Sequence, residues 1–133
     1  MATLAQDRSL PAPQIYPDNV AFWAGTAVGK LLLPHCTVCG KLHWYPRPQC
    51  PFCMSERIEL RQSTGTGAIY SFSVSRRVGP VAYAIAYVRL DEGVTLMSNI
   101  VDCDLDAIRI GDRVTLVMKP AEDGTMLPMF TLR

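Results

Sequence analysis

Cys36-Thr37-Val38-Cys39 and Cys50-Pro51-Phe52-Cys53, separated by the ten residues Gly40 to Gln49, decide how this chain folds. Two Cys-x-x-Cys hooks so close together can complete a tetrahedral site of four thiolates around one Zn²⁺. Gly40, just past the first hook, lets backbone amides turn toward the sulfurs and offset their charge, and Pro51 stiffens the second hook. With Cys36, Cys39, Cys50 and Cys53 all engaged, no position remains for water or substrate, and a closed site of this kind is structural rather than catalytic. A lone hook could belong to a thiol–disulfide enzyme, but the hook is doubled and the βαβ pattern of such enzymes is missing. The metal expected is zinc, or iron in a recombinant preparation.

Around the hooks the chain is divided into 1–29, a tail and helix; 30–56, the zinc ribbon; and 57–133, a barrel. Met1 to Ile15 carries Pro11 and Pro13 without periodicity, and reads as an arm that orders on a partner. Asp18 or Asn19 offers an N-cap for a helix over about 20–28, with Phe22 and Trp23 as its large apolar groups and Gly29 at its end. Residues 30–33 lead as a strand into the first hook, and 57–62 form another strand after the second. Five further strands are expected at 68–75, 81–90, 94–101, 113–119 and 127–132, with a helical turn at 104–110. Five strands of this length suit the OB-fold, a five-stranded Greek-key barrel. The predicted class is therefore mainly β: an N-terminal helix, a ribbon and a closed barrel. On strand 68–75, strict alternation puts Tyr70, Phe72 and Val74 on one face, and Ile69, Ser71 and Ser73 on the other. On strand 81–90, Ala82, Ala84, Ala86 and Val88 alternate with Tyr83, Ile85 and Tyr87, so both faces are apolar; one fills the barrel and the other needs cover.

Composition narrows the function. Apolar residues make up 49% of the chain and charged ones 19%, enough apolar content to build a core. No run approaches the roughly 18 apolar residues of a membrane span, and no signal peptide is evident, so a cytoplasmic location is expected. In that compartment paired cysteines favour metal over disulfides. Cys103, left over, reads as a small core hydrophobe. Ribbon and OB modules often bind nucleic acid, yet 13 basic residues stand against 12 acidic ones, which speaks against general affinity for phosphate backbones. His35 and His43 flank the first hook, but no thiolate is missing for either to replace. No nucleophile motif, carboxylate pair or dinucleotide-type glycine loop is present, so no catalytic residue is assigned.

The chain resembles the zinc-ribbon/OB-fold family first catalogued as a domain of unknown function (number thirty-five). The matching stretches are Phe22-Trp23, Leu31 to Gly40, Pro46 to Cys53, Gly65 to Phe72, Val88 to Gly93 and Ile110 to Val114. The resemblance implies a rubredoxin-like ribbon before the OB barrel. It also implies an acyl-CoA-related role, usually as the small, non-catalytic partner of a thiolase-like subunit that helps shape its acyl-CoA site. Related modules accompany an aldolase and a hydratase, so a scaffold for either is the alternative within the family; a nucleic-acid-binding module is the alternative outside it. If acyl-CoA is shared with a partner, Arg47, Arg76 and Arg77 are candidates for its phosphates, because guanidinium groups match phosphate geometry. Gly79-Pro80 could then shape a rim over the ligand.

Overall fold

A computed structural model describes residue 3 and residues 8–77 and 81–133. Its elements run α1 (Val20–Ala27), β1 (Leu32–Cys36), β2 (Ile58–Gln62), β3 (Thr66–Ser75), β4 (Tyr83–Leu90), β5 (Thr95–Ile100), a 3₁₀ turn (Leu105–Ala107), β6 (Arg113–Pro120) and β7 (Met126–Leu132). Strands β1 and β2 form a two-stranded antiparallel sheet, and the other five close a barrel in the order β3-β4-β5-β7-β6. Closure comes from antiparallel pairing of β3 with β6 and a parallel contact of β5 with β7 at Ile100 and Phe130. This is the expected five-stranded barrel, and the strand at 58–62 serves the ribbon by pairing with β1 across Cys36 and Ile58.

Helix α1 ends in paired backbone bonds, Gly29 N–H to Thr26 O (3.0 Å) and Lys30 N–H to Gly25 O (2.9 Å), the Schellman pattern that satisfies its last carbonyls. Asn19 occupies the N-cap without capping the helix. Its Oδ1 accepts instead from Tyr16 N–H (2.7 Å), and its Nδ2 donates to Gln14 O and to the Tyr45 hydroxyl. The helix is too short to stand alone. Phe22 anchors it, edge-on to Trp23, Trp44 and Tyr45 at 4.9, 5.3 and 5.8 Å. Phe22, Leu31 and Leu33 share one continuous core with barrel residues such as Ile69, Leu90, Val114 and Phe130. The ribbon, which has little core of its own, thus borrows the barrel's.

Two expectations are corrected. The first is the facing of β3. A β-bulge between Ile69 and Ser71 inserts one residue, so pairing resumes with Ser71 opposite Tyr87, Phe72 opposite Ala86 and Val74 opposite Ala84. Directly paired residues share a face. Phe72 and Val74 therefore lie on the side of Ile69 and the buried alanines, and Ser71 and Ser73 on the outer side. Sequence alternation cannot register an extra residue in the ladder. The second is the tail. Thr3, Arg8 and Leu10 of the tail lie on this chain's own barrel: Thr3 N–H bonds Asp104 Oδ1 at 3.0 Å, Leu105 N–H bonds Thr3 O at 2.6 Å, and Glu122 N–H bonds Leu10 O at 2.9 Å. Arg8 stacks over Tyr83 at 4.0 Å.

Candidate metal centre and exposed barrel face

The two hooks are built as near copies. In the first, Gly40 N–H bonds Cys36 O (2.9 Å) and Cys36 N–H bonds Lys41 O (3.0 Å); in the second, Met54 N–H bonds Cys50 O (2.9 Å) and Cys50 N–H bonds Ser55 O (2.8 Å). The residue after each hook must be left-handed to complete this turn. Gly40 does so at φ +79° without penalty, whereas Met54 does so at φ +68° against its own Cβ. In return, amides point at sulfur: Cys39 N–H to Cys36 Sγ and Phe52 N–H to Cys50 Sγ, each 3.4 Å.

The four Sγ atoms lie within 4.8 Å of one another, with Cys36–Cys53 at 3.5 Å and Cys39–Cys50 at 3.6 Å. A regular tetrahedron with 2.3 Å zinc–sulfur arms has edges of about 3.8 Å. The donor set and its spacing therefore fit one Zn²⁺. Cys36 and Cys50 are buried while Cys39 and Cys53 face solvent. The Cys39 amide, opposed by burial, draws the Cys36 thiol down to about 6. At Cys53 a bond from the Ser55 amide is outweighed by burial and the neighbouring sulfurs, which push its thiol up to about 11. Thiols crowded in this way hold protons unequally, and a dication replaces those protons.

The histidines are settled by their surroundings. His35 Nδ1 lies 3.1 Å from Glu59 Oε1, across the β1–β2 pair. His43 is 4% exposed, and neither ring nitrogen has a partner among the described residues. Burial, helped by the Arg47 charge, lowers its affinity for a proton, so it sits neutral in the wall of the cleft between ribbon and barrel. Burial raises the half-buried Cys103 thiol, which packs against the core as expected of a small hydrophobe.

The three arginines have different surroundings. Arg47 lines the ribbon–barrel cleft and donates to Tyr45 O at 3.4 Å. Arg76, at the end of β3, pairs with Asp106 at 2.5 Å, and Arg77 beside it is exposed. Val78 and the Gly79-Pro80 rim lie outside the described residues.

Residues 90–93, read in sequence only as a turn, form a latch. Asp91 accepts from Thr66 Oγ1 (2.5 Å) and twice from Arg113 (2.9 and 2.8 Å), tying β3 and β6 to the turn. Glu92 accepts from Ser63 Oγ and Thr64 N–H, both at 2.9 Å, holding the ribbon-to-barrel linker. Both carboxyls are held below their ordinary range: Asp91 chiefly by Arg113, Glu92 by the Thr64 amide against the opposing effect of burial. Spacing gave no signal of this, since the partners lie 22 to 29 residues away.

On the outer side of the barrel, Tyr70, Ile85, Tyr87 and Met97 are 56, 42, 49 and 59% exposed. Tyr87 and Met97 pair in register, and around them runs a groove of ≈ 150 Å³ that Ser71, Ser73 and Ile85 also line. Arg89 stacks on Tyr70 at 4.7 Å. This is the apolar outer face expected of strand β4. No helix among the described residues is long and apolar enough to cross a membrane.

Residues 23–59 match the rubredoxin-like zinc ribbon domain of ChsH2, and residues 60–119 its C-terminal OB-fold domain. A DUF35 domain-containing scaffold protein of Methanothermobacter thermautotrophicus is 36% identical over 68% of this chain and 76% of its own length. A probable enoyl-CoA hydratase alpha subunit of Thermomonospora curvata is 33% identical over 90% of this chain, which spans only 39% of that protein. Among solved structures, an Ltp2-ChsH2(DUF35) aldolase chain superposes with a TM-score of 0.81 at 31% identity, over 91% of this chain and 98% of that one.

Proposed function

Because this chain belongs to the DUF35 family of zinc-ribbon and OB-fold scaffold proteins, we propose that it is a non-catalytic accessory subunit. It binds a thiolase-like acyl-CoA enzyme and helps shape that enzyme's acyl-CoA site. The observation that carries this reading is the outer face of β3, β4 and β5. An aromatic and methionine stripe around a shallow groove is an unusual surface for a small protein to leave in water, and Tyr and Met are enriched at interface cores. One structural Zn²⁺, held by Cys36, Cys39, Cys50 and Cys53, fixes the ribbon. Carbon–carbon chemistry belongs to the partner's own groups. Arg77, together with Arg47 and an Arg76 that would exchange Asp106 for phosphate, supplies positive charge for the CoA phosphates.

A scaffold for an acyl-CoA aldolase or hydratase is the second reading, favoured by the descriptions of two similar proteins. Nucleic-acid binding is disfavoured. Although OB-folds bind oligonucleotides on this same face, the chain's net charge is only +1.

Co-expression with an acyl-CoA thiolase, aldolase or hydratase of the same genome tests the proposal. A stable complex is expected, with thiolysis, aldol cleavage or hydration absent from this chain alone. Tyr87→Lys with Met97→Lys should weaken that complex at least tenfold, as loss of a buried aromatic anchor does at interface centres. Full activity of the large subunit alone, or a complex indifferent to the double variant, would count against it.

A further inference from the structure

We propose that the cavity between the N-terminal arm and the seam of the barrel binds a short aliphatic carboxylate. The barrel is thinnest here. Strands β6 and β7 pair along their whole length, but β5 and β7 meet in register only at Ile100 and Phe130. Beside that junction lies a cavity of ≈ 240 Å³, with Leu10 of the arm forming one wall and Ile100, Val101 and Met129 of the barrel another. Its volume falls below the roughly 300–1,000 Å³ of pockets for drug-sized ligands, so it suits a small molecule.

Most of the lining is apolar, with Asn99 and Tyr83 among it, and its charged side chains are cationic. Arg8 and Lys119 line the cavity, and no acidic side chain does so among the described residues. Lys119 is paired at 2.8 Å with Asp102, which lies outside the lining, so Arg8 supplies the excess charge. Its guanidinium is already fixed over the Tyr83 ring at 4.0 Å, so little side-chain freedom remains to be lost on binding. An apolar body seated against Leu10 and Met129, with an anionic head at Arg8, satisfies both features. A neutral or cationic aliphatic satisfies only the first. The arm is itself a wall of the cavity, so occupancy should also fasten the arm, which is held at Thr3 and Leu10.

The experiment uses the zinc-loaded full chain without any partner, so its outcome is separate from that of the accessory-subunit proposal. Amide resonances are followed during titration with hexanoate, hexanol and hexylamine. Hexanoate should give saturable shifts at Leu10, Ile100 and Val101 and slow hydrogen exchange in the arm. Hexanol and hexylamine should bind about tenfold more weakly, the difference expected from one charged hydrogen bond. Arg8→Met should reduce hexanoate to the level of hexanol. Ala82→Leu, which adds bulk to the lining while keeping the Arg8 side chain, should abolish the shifts. Failure of hexanoate to saturate by roughly 10 mM, or equal binding of acid and alcohol, overturns the proposal.

Discussion

Gly67→Ala should unfasten the barrel at the point where it closes. Gly67 pairs with Leu90 of β4 on one side and with Val114 of β6 on the other, so the strand has no slack in either direction. A Cβ placed there would lie 2.4 Å from Arg89 O and 3.0 Å from Arg89 C and Leu90 Cα. Ordinary contact begins near 3.4 Å, so β4 must retreat by about 1 Å. The obstructing atoms are backbone and cannot turn aside. Overpacking costs about 1–3 kcal/mol, and this site belongs at the upper end because the retreat also strains the ladder bonds. For a chain of this size, about 3 kcal/mol lowers the melting temperature by roughly 10 °C. The control is Gly93→Ala, which also loses a glycine but meets nothing within 4 Å and carries only the penalty of φ +100°. That variant should lose about 1–2 kcal/mol. The assay is thermal and urea unfolding of zinc-saturated protein, with amide exchange at β3, β4 and β6. If Gly67→Ala melts no lower than Gly93→Ala, the close approach does not limit the barrel and the reasoning fails.

Purified protein should carry one equivalent of zinc, and Cys50→Ser should strip amide protection from β1 and β2 before the barrel strands; uniform loss across both would contradict a metal-dependent ribbon. His43→Leu should stabilise the fold by about 1–2 kcal/mol at neutral pH, since it removes buried nitrogens that have no partner. The folded His43 binds a proton less readily than the unfolded one, so its neutral form favours the fold above the unfolded pKa near 6.5. Stability is then lost as pH falls from there toward the lower folded value. Unfolding curves at about pH 7.5 and 5.5 should show a smaller pH loss for the variant, and equal losses would rule the linkage out. Met54→Gly relieves a left-handed residue whose side chain is 63% exposed, and should raise the free energy of unfolding, read from urea titration, by about 1 kcal/mol without altering zinc content.

The metal centre was legible in the sequence because its geometry is local. Two Cys-x-x-Cys spacings fix each hook, and the turn that follows needs a left-handed residue, which Gly40 announces and Met54 conceals. The five barrel strands were legible for a similar reason: alternation and turn residues act within a few positions, and β4 alternates as read, Ala84, Ala86 and Val88 inward and Ile85 and Tyr87 outward. What needed tertiary structure depends on partners far along the chain. The bulge after Ile69 reverses the facing of Phe72 and Val74, and only the strand opposite reveals the extra residue. The latch of Asp91 and Glu92, the anchoring of the arm through Thr3 and Leu10, and the orphaned nitrogens of His43 all arise from contacts between distant segments. Sequence spacing sets which way a side chain points within its own element; whether it meets a carboxylate, a ring or nothing is set when the barrel closes and the ribbon packs against it.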